Sequence, residues 1–161
     1  MIMVIIFVVL AIILFTGAFL SKRRFGLLGL ALTAGSVIST IWNYNAGLVV
    51  SATGLVPDGP LTDAVTSAVV ILLPAIVLLF HGYSYKGKIG RIIGSLLFTI
   101  LALAFLTVPI GASLTLTGTA STVYQIIVAN KDLIISAGVI LAIVDLFLTK
   151  PPTRKEREHR R

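Results

Sequence analysis

The sequence predicts an all-α, polytopic helical membrane protein with about five transmembrane helices. Three observations carry that prediction. First, 57% of the 161 residues are hydrophobic and 12% are charged, with a mean hydropathy of +1.07. An ordinary soluble domain is about 25% charged, and a chain this short has too little interior to bury such an apolar load. Second, the apolar residues form continuous runs of about 20, which cross a ~30 Å hydrocarbon layer at ~1.5 Å per residue. A membrane β-barrel would alternate apolar and polar residues instead. Third, the basic residues gather in turns between alternate runs.

The first span covers about residues 2–20 and is nearly pure Ile, Val, Leu and Phe, so it can face lipid all round. It has neither the basic start nor the small-residue cleavage site of a secretory signal, and reads as an uncleaved span. The turn Ser21-Lys22-Arg23-Arg24-Phe25-Gly26 follows. The second span, 25–42, is rich in small residues: Gly26, Gly29, Ala31, Ala34, Gly35, Ser36 and Ser39. Small residues let helix backbones approach closely in a membrane, which puts this helix inside the bundle. Trp42 and Tyr44 mark its end at headgroup level. Residues 43–60 read as the longest loop, lying on the membrane surface rather than re-entering it.

The third span is 61–80. Pro60 and Asp63 suit a helix start, and Pro74 is expected to kink the helix. His81 to Arg91 makes the second basic turn. The fourth span is 92–110, with Gly90 and Gly94 at a spacing that favours close helix packing; Pro109 and Gly111 are expected to end it. Residues 113–130 form a second outer segment, with 121–130 as a short interfacial helix. The last span is 133–149, with Asn130 and Asp132 at its N-terminus. Residues 1–149 are thus the helical bundle. Residues 150–161, opening on Pro151-Pro152 and almost wholly charged, are a basic tail expected to be disordered.

Charge fixes the expected direction. Lys22, Arg23 and Arg24 lie in the first basic turn, and Lys86, Lys88 and Arg91 in the second. Lys150, Arg154, Lys155, Arg157, Arg160 and Arg161 lie in the tail, and only Lys131 of the 13 falls elsewhere. Basic residues beside spans stay in the cytoplasm, so the N-terminus is expected outside and the C-terminus inside. Lys22, Arg23, Arg24, Lys86, Lys88, Arg91, Arg154 and Lys155 are read as topology anchors that touch anionic lipid headgroups. The net charge of +7 is accounted for by that lipid surface, and nucleic acid is not an expected partner.

Few residues invite chemistry. The absence of cysteine excludes disulfides and thiol nucleophiles. No GxxxxGK[ST], GxGxxG or HExxH occurs. Ser36, Ser39, Ser67, Ser95 and Ser136 lie on helices, but the two histidines, His81 and His159, offer no serine-hydrolase set. An enzyme, a cofactor and a metal are therefore not expected. Asp145 is the one carboxylate placed inside a span. An intramembrane carboxylate is a functional candidate, while its place about four residues from the inner end equally suits pairing with Lys150, Lys88 or Arg91.

From Phe15 to Leu106 the chain resembles the CvpA family of colicin V production proteins. The likeness rests on three features: the basic turn Lys22-Arg23-Arg24-Phe25-Gly26, the small-residue helix Gly26 to Ser39 that follows it, and the turn Gly87 to Gly94 that opens the fourth helix. The resemblance implies a bacterial inner-membrane protein linked to bacteriocin export and envelope maintenance, with no catalytic residue. The expected function is a non-enzymatic accessory or scaffold protein in such a complex. Its expected partners are other membrane subunits or a second copy. The alternative is a small channel or transporter subunit that oligomerises through its Gly-rich second and fourth helices.

Overall fold

A backbone in hydrocarbon must hydrogen-bond to itself, so each apolar run folds as a helix. The computed structural model describes residues 2–52, 59–81, 84–85, 87–113 and 119–148. They form α1 (Ile2–Ser21), α2 (Phe25–Ala52), α3 (Pro60–Phe80), α4 (Lys88–Ser113) and α5 (Thr119–Phe147). No strand occurs among the described residues, only an isolated bridge between Arg23 and Ser84. Among the described residues four helices hold a stretch long and apolar enough to cross a membrane: Phe25–Trp42, Thr62–Phe80, Lys88–Pro109 and Gln125–Phe147. The 20-residue α1, Ile2–Ser21, is apolar from its first residue.

Three helices outrun the spans expected from the sequence. The second does not stop at Trp42 but continues to Ala52, so much of the expected loop 43–60 is helix. Between Asn43 and Ala52 no proline interrupts the run, and apolar residues resume after Asn45. The fourth starts at Lys88 and carries Pro109 inside it, ending at Ser113 rather than at Ile110. The expected interfacial helix 121–130 and the span 133–149 are one helix, Thr119–Phe147. Asn130 and Asp132 therefore lie within a helix rather than at its start, and the Asn130 amide donates to the Ile126 carbonyl one turn back. The third span agrees closely: Pro60 opens it, Asp63 lies in its first turn and Pro74 in its interior. Residues 53–58, 114–118 and the tail 150–161 lie outside the described residues, as does Lys86.

Small residues share the interior with large ones such as Phe25, Leu28, Leu32, Leu101 and Leu106. The buried set is rich in Ala18, Ala31, Ala64, Ala75, Ala102, Ala104 and Ala142, with Ser39, Ser67, Ser95, Thr99 and Thr107. Other large residues such as Ile12, Ile13, Val37, Leu73, Ile93 and Ile140 face outward. A water-soluble protein would do the reverse. Here the surroundings are as apolar as leucine, and close packing of small residues joins the helices. Buried hydroxyls bond to their own helix, Thr99 to the Ser95 carbonyl and Thr107 to that of Ala104.

The most enclosed helices are α4 and α2: half of Lys88–Pro109 and 44% of Phe25–Trp42 are buried, against 11% of Gln125–Phe147. They pack on each other, and both α3 and α5 rest on the pair while scarcely touching one another. The glycines of α2 set these distances. A Cβ on Gly26 would lie 2.5 Å from the Ala142 carbonyl oxygen, and one on Gly29 would lie 2.9 Å from the Ala142 Cβ, so this edge seats α5. Gly35 lies against the backbone of Ile71 on α3.

Candidate functional site

The two ends of the bundle differ in chemistry. At one end the chain turns from α1 to α2 in three residues, Lys22 to Arg24, with Lys22 at a left-handed φ of 58°. The Tyr85 N–H donates to the Lys22 carbonyl (2.9 Å), which joins this turn to the α3–α4 connection. The C-termini of α1, α3 and α5 therefore meet the N-termini of α2 and α4 here. We call this the basic end.

Its arginines cap helices. Helix C-termini expose unpaired carbonyls and carry partial negative charge. Arg23 donates from Nε to the Leu79 carbonyl (3.0 Å) and from its terminal nitrogen to that of Phe80 (2.6 Å), closing α3. Arg91 donates to the Phe19 carbonyl near the end of α1 (2.9 Å) and stacks over the Phe19 ring at 4.3 Å. Its Nε is buried without a partner. Arg24 reaches the Asp145 carbonyl in the last turn of α5 (3.4 Å) and lies over the Tyr85 ring at 5.4 Å. Lys22 and Lys88 are exposed, the position a headgroup contact requires. The eight expected headgroup residues thus divide: Arg23, Arg24 and Arg91 are turned to helix ends, Lys22 and Lys88 face outward, and Lys86, Arg154 and Lys155 lie outside the described residues.

Asp145 serves the opposite polarity. Its Oδ2 accepts the Gly26 N–H (2.9 Å) and the Tyr85 hydroxyl (3.3 Å), while that hydroxyl accepts the Phe25 N–H (3.1 Å). A carboxylate from α5 and a phenol from the connection thereby satisfy the first amides of α2, where the helix dipole is positive. Lys88 and Arg91 do not meet Asp145, and Lys150 lies outside the described residues. His81 is exposed, and its N–H bonds the Leu78 carbonyl as α3 ends.

The nearest atoms to Gly90 and Gly94 belong to the Tyr85 ring rather than to another helix. A Cβ at Gly90 would lie 3.0 Å from the Tyr85 ring, and one at Gly94 would lie 2.6 Å from it. The groove they leave seats that aromatic ring and aims its hydroxyl at Phe25 and Asp145. Tyr85 escaped the sequence reading; the signal was a tyrosine five and nine residues before two glycines on one helical face.

Burial pushes the Tyr85 phenol above its ordinary 10.0, and the Asp145 charge adds to this against the Phe25 N–H and Arg24. The folded protein holds that proton more tightly than the unfolded chain. The Tyr85 contribution to stability is thus intact below about pH 10 and lost as pH rises through the raised value. Thermal unfolding in detergent from about pH 8 to 11 is expected to show this loss, and Tyr85→Phe is expected to remove it. An unchanged alkaline slope in Tyr85→Phe would place the loss elsewhere.

Away from the basic end, the remaining charges among the described residues are Asp63, Lys131 and Asp132, and all three line one cavity of about 550 Å³. Ser36, Ser39 and Thr40 of α2 and Ser67 of α3 add hydroxyls; Phe105 and Ile71 supply apolar wall. The cavity occupies the space between α3 and α5, which scarcely touch. Counted along the helices at ~1.5 Å per residue, it lies about 14–31 Å from the basic end. Asp63, Asp132 and Thr40 are exposed on its rim, whereas Ser39 and Ser67 are buried. Below it the core closes with Leu28, Leu32, Phe98 and Leu101.

The sequence reading took Asp63 and Asp132 only as helix-start residues and Lys131 only as the stray basic residue. Helical spacing did hold a signal. Asp63 and Ser67 are four apart on α3, and Ser36, Ser39 and Thr40 are three and four apart on α2, so each set shares a face. That the faces look into the same space was not visible. No three His, Cys, Asp or Glu side chains are grouped to hold a metal among the described residues. No protein-family model, curated protein or solved structure matches the chain.

Proposed function

We propose that this chain is a multi-pass membrane protein that binds a small polar solute, as a channel or transporter subunit rather than an enzyme. The reading places the basic end in the cytoplasm, the N-terminus and cavity outside, and the chain in a bacterial inner membrane. The cavity is the observation that carries it. Counted along the helices, Asp63, Lys131 and Asp132 stand at about the level of Trp42, so their charges surround the outer mouth of the cavity, where a polar solute would enter. A volume of about 550 Å³ is of the size that holds small organic ligands. The apolar core between cavity and basic end supports an outward-open arrangement closed on its other side. The positive-inside pattern supports the orientation.

Flux of small polar solutes into proteoliposomes tests the reading. Ser39→Leu, which fills the cavity with an apolar side chain and removes no charge, is expected to abolish flux. Membrane-impermeant labelling should reach a cysteine at Asp63 from outside and miss one at Ser84; the reverse would invert the orientation. The accessory reading drawn from the CvpA resemblance makes the opposite prediction: no flux, and export or envelope proteins copurifying in mild detergent.

A further inference from the structure

The charges of the cavity narrow its ligand. We infer that it binds a small zwitterion carrying an ammonium and a carboxylate, an inference that rests on the cavity being a solute site. Asp63 enters from α3, and Lys131 and Asp132 enter from α5 at adjacent positions. None of the three side chains has a hydrogen-bond or ion-pair partner among the described residues. Ser39 is a fourth group without a partner: it is 7% exposed, lines the cavity, and its hydroxyl bonds to nothing described. Arg91 Nε is the only buried side-chain nitrogen or oxygen without a partner among the described residues, so the Ser39 hydroxyl opens to the cavity, where a ligand can bond to it.

The competing ligands fit less well. A bare cation needs several oxygens within about 2.6 Å, and the cavity is far wider than that shell. An anion would meet two carboxylates against one ammonium. An organic cation would meet Lys131. A neutral polyol would satisfy the hydroxyls and leave three charges uncompensated. A zwitterion sets its ammonium between Asp63 and Asp132 and its carboxylate on Lys131, whose long stem reaches past its neighbour. Ser36 and Ser39 remain for further polar groups, and Phe105 and Ile71 for a short hydrocarbon.

The test is calorimetric titration of the full chain in nanodiscs. The probes are glycine, 4-aminobutyrate and 6-aminohexanoate, against n-butylamine, butyrate and glycerol. At least one zwitterion is expected to bind, with the matched amine and acid weaker by about tenfold or more, the loss expected for one charge-assisted bond. Asp63→Asn and Lys131→Gln should each weaken it by about as much, and Lys22→Gln, at the other end, should not. Both cavity variants are expected to melt like the parent, which separates a binding loss from misfolding. Amine binding as tight as the zwitterion, or binding that improves on Lys131→Gln, overturns the zwitterion and keeps the solute site. Binding by none of the probes, while Ser39→Leu still abolishes flux, likewise overturns the inference alone. Loss of both flux and all probe binding removes the solute reading itself.

Discussion

Gly35→Ala is expected to be the most damaging single-methyl change in the bundle. The added Cβ would sit 2.9 Å from the Ile71 carbonyl carbon and 3.1 Å from its Cα, and closer still to its oxygen. All three are backbone atoms, so no rotamer change relieves the contact and α3 must move off α2. Alanine favours a helix over glycine by about 1 kcal/mol. Overpacking costs about 1–3 kcal/mol, more where backbone must shift. A net loss of about 2 kcal/mol or more is therefore expected in thermal or denaturant unfolding in detergent. Gly17→Ala supplies the control: nothing lies within 4 Å of that Cβ, so only the propensity gain remains. Equal stability of the two variants would mean that α2 and α3 do not meet at Gly35. The shift should also widen the cavity, since Ser36, Ser39 and Ser67 flank this contact on the two helices.

Asp145→Ala is expected to cost about 3 kcal/mol, because the Gly26 N–H and the Tyr85 hydroxyl both lose their acceptor. Asp145→Asn retains a neutral acceptor and should lose about 1 kcal/mol. The order Ala, then Asn, then parent in unfolding midpoint would identify the group as a helix cap. Neither change should alter solute binding, since the cavity begins about 14 Å along the helices from this end. A selective loss of flux in a normally stable Asp145→Asn protein would move the functional site to the basic end.

Helix count and class were legible because hydropathy is a local property summed over about 20 residues. Boundaries were less so. Trp42, Pro109 and the pair Asn130 and Asp132 carry end signals that a helix ignores when the flanking residues continue to favour it. The glycines show the same limit in another form. Gly26, Gly29 and Gly35 mark close backbone approach, and α5 and α3 lie there. Gly90 and Gly94, four apart on one helical face, lie nearest the Tyr85 ring instead. Spacing reports that a groove exists, while the part that fills it depends on where the connection folds back.

The sequence alone determined that this protein is a bundle of apolar helices with its basic residues at alternate turns. Composition and period suffice for that, because each residue contributes independently of its distant neighbours. Tertiary structure decided what the charges do. Arg23, Arg24 and Arg91 find carbonyls 56, 121 and 72 residues away in the chain, and Asp145 finds the amide of Gly26 at a separation of 119. Asp63 and the Lys131-Asp132 pair meet around one space only because α3 and α5 both lean on α2 and α4 while scarcely touching each other. Such pairings depend on which helix faces which. Polar groups at depth take whatever partner the packing brings them, and no local pattern names it.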